Sequence, residues 1–207
     1  MTKREYFLKI FKRAEEKYGK SVKRLAGEGW NSSWKTLIVT IMSAQSRDET
    51  TIRIAENLFN RYNSLEKLAN ARYEDVLVIF SGLNYNKTKA KNVIAAAQML
   101  IEDFNSKVPD SIEELVKLPG VGRKTANLVL TECHDKDSIT IDTHCQRLLN
   151  VLGIVKTKNP YETELAMMKI APKKYWSRIN RIFVLWGKDV YGRNRKKFLL
   201  IGLCSFF

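Results

Sequence analysis

Apolar residues recur every three or four positions along almost the whole chain, and no stretch sustains apolar–polar alternation between turn signals. The pattern predicts an all-α fold. Phe7, Ile10, Phe11 and Ala14 share one face of a helix over 4–18, and Trp34, Leu37, Ile38, Ile41 and Met42 share one face of a second over 33–45. Ser46-Arg47-Asp48-Glu49 has the form of a capping box, which predicts Ser46 as the cap of a helix turning Ile52, Ala55, Leu58 and Phe59 inward. Short helices over 65–69 and 73–80 follow, the second stopped at Gly82. Asn84-Tyr85-Asn86-Lys87 reads as a loop ahead of a long helix carrying Val93, Ala97, Leu100 and Ile101. Val108-Pro109-Asp110-Ser111 ends that helix and caps a shorter one over 112–117. Gly153 and Pro172 punctuate the last third, where Ile182, Phe183 and Trp186 mark one more inward face.

The chain has 207 residues, enough for one large or two small domains, and its 44% apolar content fits a folded core. There is no low-complexity linker and no internal repeat of roughly 20–50 residues, so two domains would have to pack closely. Lys and Arg outnumber Asp and Glu by 36 to 22, a formal charge of +14, which points to a polyanionic partner, nucleic acid before an acidic membrane surface. No apolar run approaches the ~18 residues that span a bilayer, and the N-terminus lacks the apolar core of a signal peptide. A soluble intracellular protein, cytoplasmic or nucleoid-associated, is expected. Cys133, Cys145 and Cys204 form no CxxC pair, so reduced thiols are expected rather than disulfides or a tetrahedral metal site.

The segment Leu118-Pro119-Gly120-Val121-Gly122-Arg123-Lys124-Thr125-Ala126 lies between two short amphipathic helices. Pro119 fixes φ, while Gly120 and Gly122 permit positive φ and remove side chains that would hold a phosphate off the backbone. Free amides at the start of the second helix, with the positive end of its dipole, make an anion site. A plain interhelical turn is the alternative, but Arg123 and Lys124 sit where cations are disfavoured by ~0.3–1 kcal/mol each. A bound phosphate removes that conflict. The same positive field favours the neutral amine of Lys124, which could then attack an electrophilic carbon or, more simply, grip a phosphate.

Ile139-Thr140-Ile141-Asp142-Thr143-His144 introduces another helix through Leu148, Leu149 and Leu152. Asp142 is placed as its N-cap, and a capped carboxylate held ionised also suits stabilisation of positive charge developing at a sugar anomeric carbon. His144, one of two histidines, has no clustered Cys or His beside it and reads as structural. The basic run Arg193 to Lys197 and the apolar end FLLIGLCSFF read as a last helix against the core, or as a partner-binding segment.

Taken together, these segments resemble the helix-hairpin-helix superfamily of DNA glycosylases, its endonuclease III branch in particular. LPGVGRKTAN is similar to that branch's hairpin, and IDTHCQRLLNVLGI to its catalytic-aspartate segment. Ser43-Ala44-Gln45 within residues 38–48 resembles its SAQ segment, and Gly82-Leu83 followed by Lys89-Ala90-Lys91-Asn92 its GL…KA(K/E)N segment. The likeness runs over roughly residues 25 to 190. It implies two closely packed helical domains with the active site in the cleft between them. One is a central six-helix domain over 26–135 that carries the helix-hairpin-helix over 112–133. The other is formed by 1–25 with 136–207.

The resemblance implies a monomer acting on double-stranded DNA that bears a damaged base or an abasic site. It makes Lys124 the amine that attacks C1′ and forms a Schiff base, and Asp142 the carboxylate that assists base departure or activates the nucleophile. Gln45 and Leu83 would enter the duplex beside the flipped-out nucleotide, with Asn84 and Tyr85 as rivals to Leu83 because the loop here is longer. Gly120, Val121, Gly122, Arg123 and Thr125 would hold the DNA backbone. Oxidised pyrimidines or a related lesion are the implied substrates. A monofunctional or mismatch-specific glycosylase is the nearest alternative, although such relatives usually lack a lysine at the position of Lys124, and a non-catalytic hairpin DNA-binding protein is another. Most of the branch carries a four-cysteine [4Fe–4S] loop near its C-terminus, whereas Gly187 to Phe207 offers only Cys204, with Tyr191 near the place of the first ligand. No cluster is expected. A monovalent cation at the hairpin backbone is the one ion this reading leaves room for.

Overall fold

The computed structural model describes residues 1–189. Tyr191, Arg193 to Lys197, Cys204 and the apolar end lie outside the described residues. Within them every regular element is a helix, as the apolar spacing predicts. The chain divides into two compact units, Arg24–Lys136 and Met1–Lys23 with the segment from Asp137 on, where the resemblance implied 26–135 and its complement.

The unit over 24–136 contains α2 (Ser33–Ser43), α3 (Asp48–Arg61), α4 (Leu65–Ala69), α5 (Tyr73–Ile79), a three-ten turn (Phe80–Gly82), α6 (Asn86–Phe104), α7 (Ile112–Leu115) and α8 (Arg123–His134). Helix α2 packs against α3, α6 and α8. Residues 36 to 42 are therefore buried all the way round, not on one face only. Buried Thr40 costs little, because its hydroxyl donates to the Thr36 carbonyl at 2.7 Å. The same core takes in Leu58, Leu68, Phe80, Val93, Leu100 and Leu115, all fully buried and each contributing about 1.5–3 kcal/mol.

Three expectations need correction here. Ser46 does not cap α3: that helix starts at Asp48 with Arg47 at the cap position and no capping side chain. The Asp48 carboxylate instead accepts from the Ala26 amide at 2.9 Å. Helix α6 begins at Asn86, so the loop before it is shorter than the polar residues suggest. Helix α7 spans only Ile112–Leu115, capped by Ser111, which accepts from the Glu114 amide at 3.3 Å; the chain needs the rest of 112–117 for the turn.

The other unit holds α1 (Lys3–Tyr18), α9 (Thr143–Val151), α10 (Pro160–Ile170), a three-ten turn (Lys173–Tyr175) and α11 (Trp176–Asp189). Helix α1 opens with a reciprocal Thr2–Glu5 capping box. Helix α10 went unread in the sequence, although Asn159 caps the Glu162 amide at 2.9 Å and Pro160 pre-sets the first turn. An aromatic core of Phe7, Phe11, Tyr175, Phe183 and Trp186 fills this unit, with ring centroids 5.3–6.3 Å apart.

Candidate active site

The hairpin runs from the end of α7 to the start of α8. The Leu118 side chain is buried, and the Leu118 carbonyl accepts from the Val121 amide at 3.0 Å, closing the turn. Gly120 has φ +81, and a Cβ there would stand 2.9 Å from both Asn92 Nδ2 and Ile41 Cγ2. Glycine at 120 is thus demanded by backbone conformation and by close approach to α2 and α6. Gly122 differs. Its φ −94 and ψ 176 suit any residue, and a Cβ would meet nothing within 4 Å among the described residues. Neither conformation nor packing among them calls for a glycine there.

Gly122 occupies the cap position of α8, and among the described residues no side chain caps the helix. The first-turn amides and the positive end of the dipole therefore face outward. Arg123 and Lys124 are exposed and Thr125 is half-buried, while Ala126, Asn127, Val129 and Leu130 anchor the helix on α2. Lys124 makes no ion pair or hydrogen bond with the described residues. Val121 departs from expectation: its amide is committed to Leu118 and its side chain is buried, so it is no free donor.

Asp142 caps α9 as its local sequence predicts. Its Oδ1 accepts from the Cys145 amide at 2.8 Å, and its carbonyl accepts from the Gln146 amide at 2.9 Å. The carboxyl is half-buried, and Oδ2 has no partner among the described residues. One oxygen is structural and the other remains available. Helix α9 is held against α11 by Arg147, whose Nη2 donates to the Gly187 carbonyl at 3.1 Å, and by His144, packed so close that a Cβ on Gly187 would lie 2.9 Å from the His144 Cβ. His144 is a packing residue, in keeping with the structural reading.

Gln45 and the loop after Leu83 are brought together. Ala44 (φ −51, ψ 119) and Gln45 (φ 53) form a type II turn closed by the Ser46 amide to the Ser43 carbonyl at 3.0 Å. A non-glycine residue there costs ~1–3 kcal/mol. Asn84 Nδ2 donates to the Gln45 carbonyl at 2.6 Å. Tyr85, also left-handed at φ 57, is 66% exposed and starts α6. Leu83 is the correction: it is 5% exposed and packed in the core, so Gln45, Asn84 and Tyr85 are the side chains that project.

The sequence reading missed Lys89. It is 4% exposed, its Nζ donates to Ser46 Oγ at 2.8 Å, and burial pushes its ammonium down to about 8. The signal was present: Lys89 stands four residues before Val93, on the inward stripe of α6.

An iron–sulfur cluster of the family type needs four thiolates. This sequence has three cysteines. Cys145 is buried with its Sγ 3.7 Å from the Asn180 carbonyl, and Cys133 lies in α8 near the Ser33 carbonyl at 3.8 Å. That donor set does not fit the cluster. Among the described residues no group of three or more His, Cys, Asp and Glu could hold a metal ion.

Residues 38–173 match the model of the HhH-GPD superfamily, described as base excision DNA repair proteins. Endonuclease III of Thermotoga maritima is 40% identical over 157 residues, which cover 76% of this chain and 74% of that protein. Two solved structures are similar throughout. A trapped covalent endonuclease III–DNA intermediate, an estranged-adenine complex, matches with a TM-score of 0.85 at 26% identity, over 94% of this chain and 90% of its own. A non-covalent endonuclease III–DNA complex matches with a TM-score of 0.83 at 28% identity, over 91% and 86%.

Proposed function

Because this chain belongs to the HhH-GPD superfamily of base excision DNA repair proteins, we propose that it is a bifunctional DNA glycosylase and abasic-site lyase acting on double-stranded DNA, with oxidised pyrimidines or a related lesion as substrate. The observation that carries the lyase assignment is Lys124. It is an exposed amine with no partner among the described residues, in the first turn of the hairpin helix, where its charge opposes the dipole.

Lys124 Nζ attacks C1′ of the flipped-out nucleotide. The glycosidic electron pair leaves with the base, which takes up a proton. The amine loses its protons and the sugar ring opens at O4′, giving a Schiff base. Loss of a C2′ proton then expels the 3′ phosphate by β-elimination. Asp142 assists through Oδ2, stabilising positive charge at C1′ or taking a proton from the amine. Backbone amides around Gly122 hold a phosphate, and Gln45 with Tyr85 or Asn84 fills the space left by the flipped nucleotide. The enzyme works as a monomer on intracellular, nucleoid DNA. Among the described residues no helix is long and apolar enough to cross a membrane. On this reading it works without the family's four-cysteine [4Fe–4S] cluster, whose ligand set the three cysteines of this sequence do not match.

Borohydride trapping on a duplex with an abasic site tests the assignment. Wild type is expected to give a covalent adduct, and Lys124→Gln to give none while still binding the duplex. A wild type that releases bases but cannot be trapped would make the enzyme a monofunctional glycosylase, and one that binds without either reaction would be a hairpin DNA-binding protein.

A further inference from the structure

We infer that Lys89 is a positioning residue for damage recognition: through Ser46 it holds the Ser43–Ser46 turn in the conformation that presents Gln45. The inference rests on the reading that Gln45 enters the duplex. Lys89 is a poor choice for stability. Burying an ammonium on a hydroxyl, with no salt-bridge carboxylate among the described residues, is unfavourable, and an apolar side chain of the same length would fill the space without desolvating a charge. What the lysine does gain is a tie between the first turn of α6 and the residue after Gln45.

The turn needs such a tie. Gln45 is strained at φ 53, and nothing in its own segment fixes it beyond the single Ser46–Ser43 hydrogen bond. Two side chains reach in from the 84–89 segment. Asn84 Nδ2 donates to the carbonyl of the Gln45–Ser46 peptide and Lys89 Nζ donates to Ser46 Oγ, the side chain that follows it. Ser46 is free for this because it does not cap α3. The same segment carries the exposed Tyr85. The two bonds therefore set the separation of Gln45 and Tyr85, two of the projecting side chains, as well as the shape of one turn.

Equilibrium binding to an undamaged duplex and to the same duplex with a non-cleavable abasic-site analogue reads this out as a ratio of affinities. Lys89→Met is expected to lower that preference about tenfold, with binding to undamaged DNA kept and thermal stability kept or raised. Ser46→Ala, which removes the same bond from the exposed side, is expected to do likewise and serves if Lys89→Met folds poorly. In a Gln45→Ala background Lys89→Met should add no further loss, because both act on one element. A purely structural lysine would instead lower both affinities together, and its effect would multiply with that of Gln45→Ala. An unchanged preference in both Lys89→Met and Ser46→Ala, or independent multiplication, overturns the proposal. If Gln45→Ala itself leaves the preference unchanged, the reading of Gln45 has failed first, and the proposal falls with it.

Discussion

Replacing Gly122 with alanine separates what the hairpin requires for folding from what a bound phosphate requires. At φ −94 and ψ 176, with nothing within 4 Å of the new methyl, the side chain meets neither strain nor a neighbour. Alanine is a poorer helix cap than glycine by roughly 0.5–1 kcal/mol, and the less flexible unfolded chain returns about 0.4–1 kcal/mol. Stability should therefore stay within ~0.5 kcal/mol of wild type. Binding should not. A methyl between the backbone and a phosphate weakens charge-assisted hydrogen bonds of ~1.5–3 kcal/mol, or about 10- to 100-fold in affinity. Loss of one phosphate contact should also flatten the dependence of log K on log salt by about 0.9. Gly120→Ala is the contrasting control. Its positive φ costs ~1–2 kcal/mol and its clash with Asn92 and Ile41 another ~1–3 kcal/mol, so its loss is one of folding. Urea melts and fluorescence anisotropy on a labelled abasic-analogue duplex over a salt series supply both numbers. If Gly122→Ala bound within about twofold of wild type and kept the salt slope, no phosphate would approach that glycine and the hairpin would be a turn alone.

Asp142→Asn keeps an oxygen for the Cys145 amide, so its melting curve should match wild type while single-turnover base release falls about 100-fold or more. Asp142→Ala should lose ~1 kcal/mol of stability as well, and retention of base release by Asp142→Asn would leave the carboxylate only a capping role. For Lys89, burial lowers the folded-state value from the ordinary 10.5 to about 8. The unfolded chain then binds more protons between those pH values, so stability rises with pH across that window, and the penalty is fully present below it. Relative to Lys89→Met, wild type should gain up to ~3 kcal/mol between pH 8 and 10.5 in urea melts. A flat difference would show that the amine is not desolvated.

The features that depend on a few neighbouring residues were legible in the chain. The helical class follows from apolar spacing, the hairpin from Pro119, Gly120 and Gly122, and the Asp142 cap from an aspartate directly before a helical run. Each is a short-range consequence of backbone conformation and local hydrogen bonding. Even so, periodicity overreached at α7, where the chain turns earlier than its apolar pattern suggests, and passed over α10, whose charged and apolar positions do not separate cleanly.

Position relative to the core was a different matter. The sequence offers Leu83, Asn84 and Tyr85 as equivalent candidates for projection, and only packing decides that Leu83 turns inward. Ser46 satisfies the local rule for a cap, yet its hydroxyl is taken by a lysine from α6. Gln45 is driven into a left-handed conformation that no local preference would choose, and Asn84 from another segment brackets it. By itself, then, the sequence determined the helical class, the turn at Pro119 and Gly120 ahead of α8 and the Asp142 cap of α9. The tertiary structure alone decided which side chains project and what holds them. Hydrogen bonds and burial between residues some forty positions apart outweigh local propensities of a few tenths of a kcal/mol, so no local pattern can encode them.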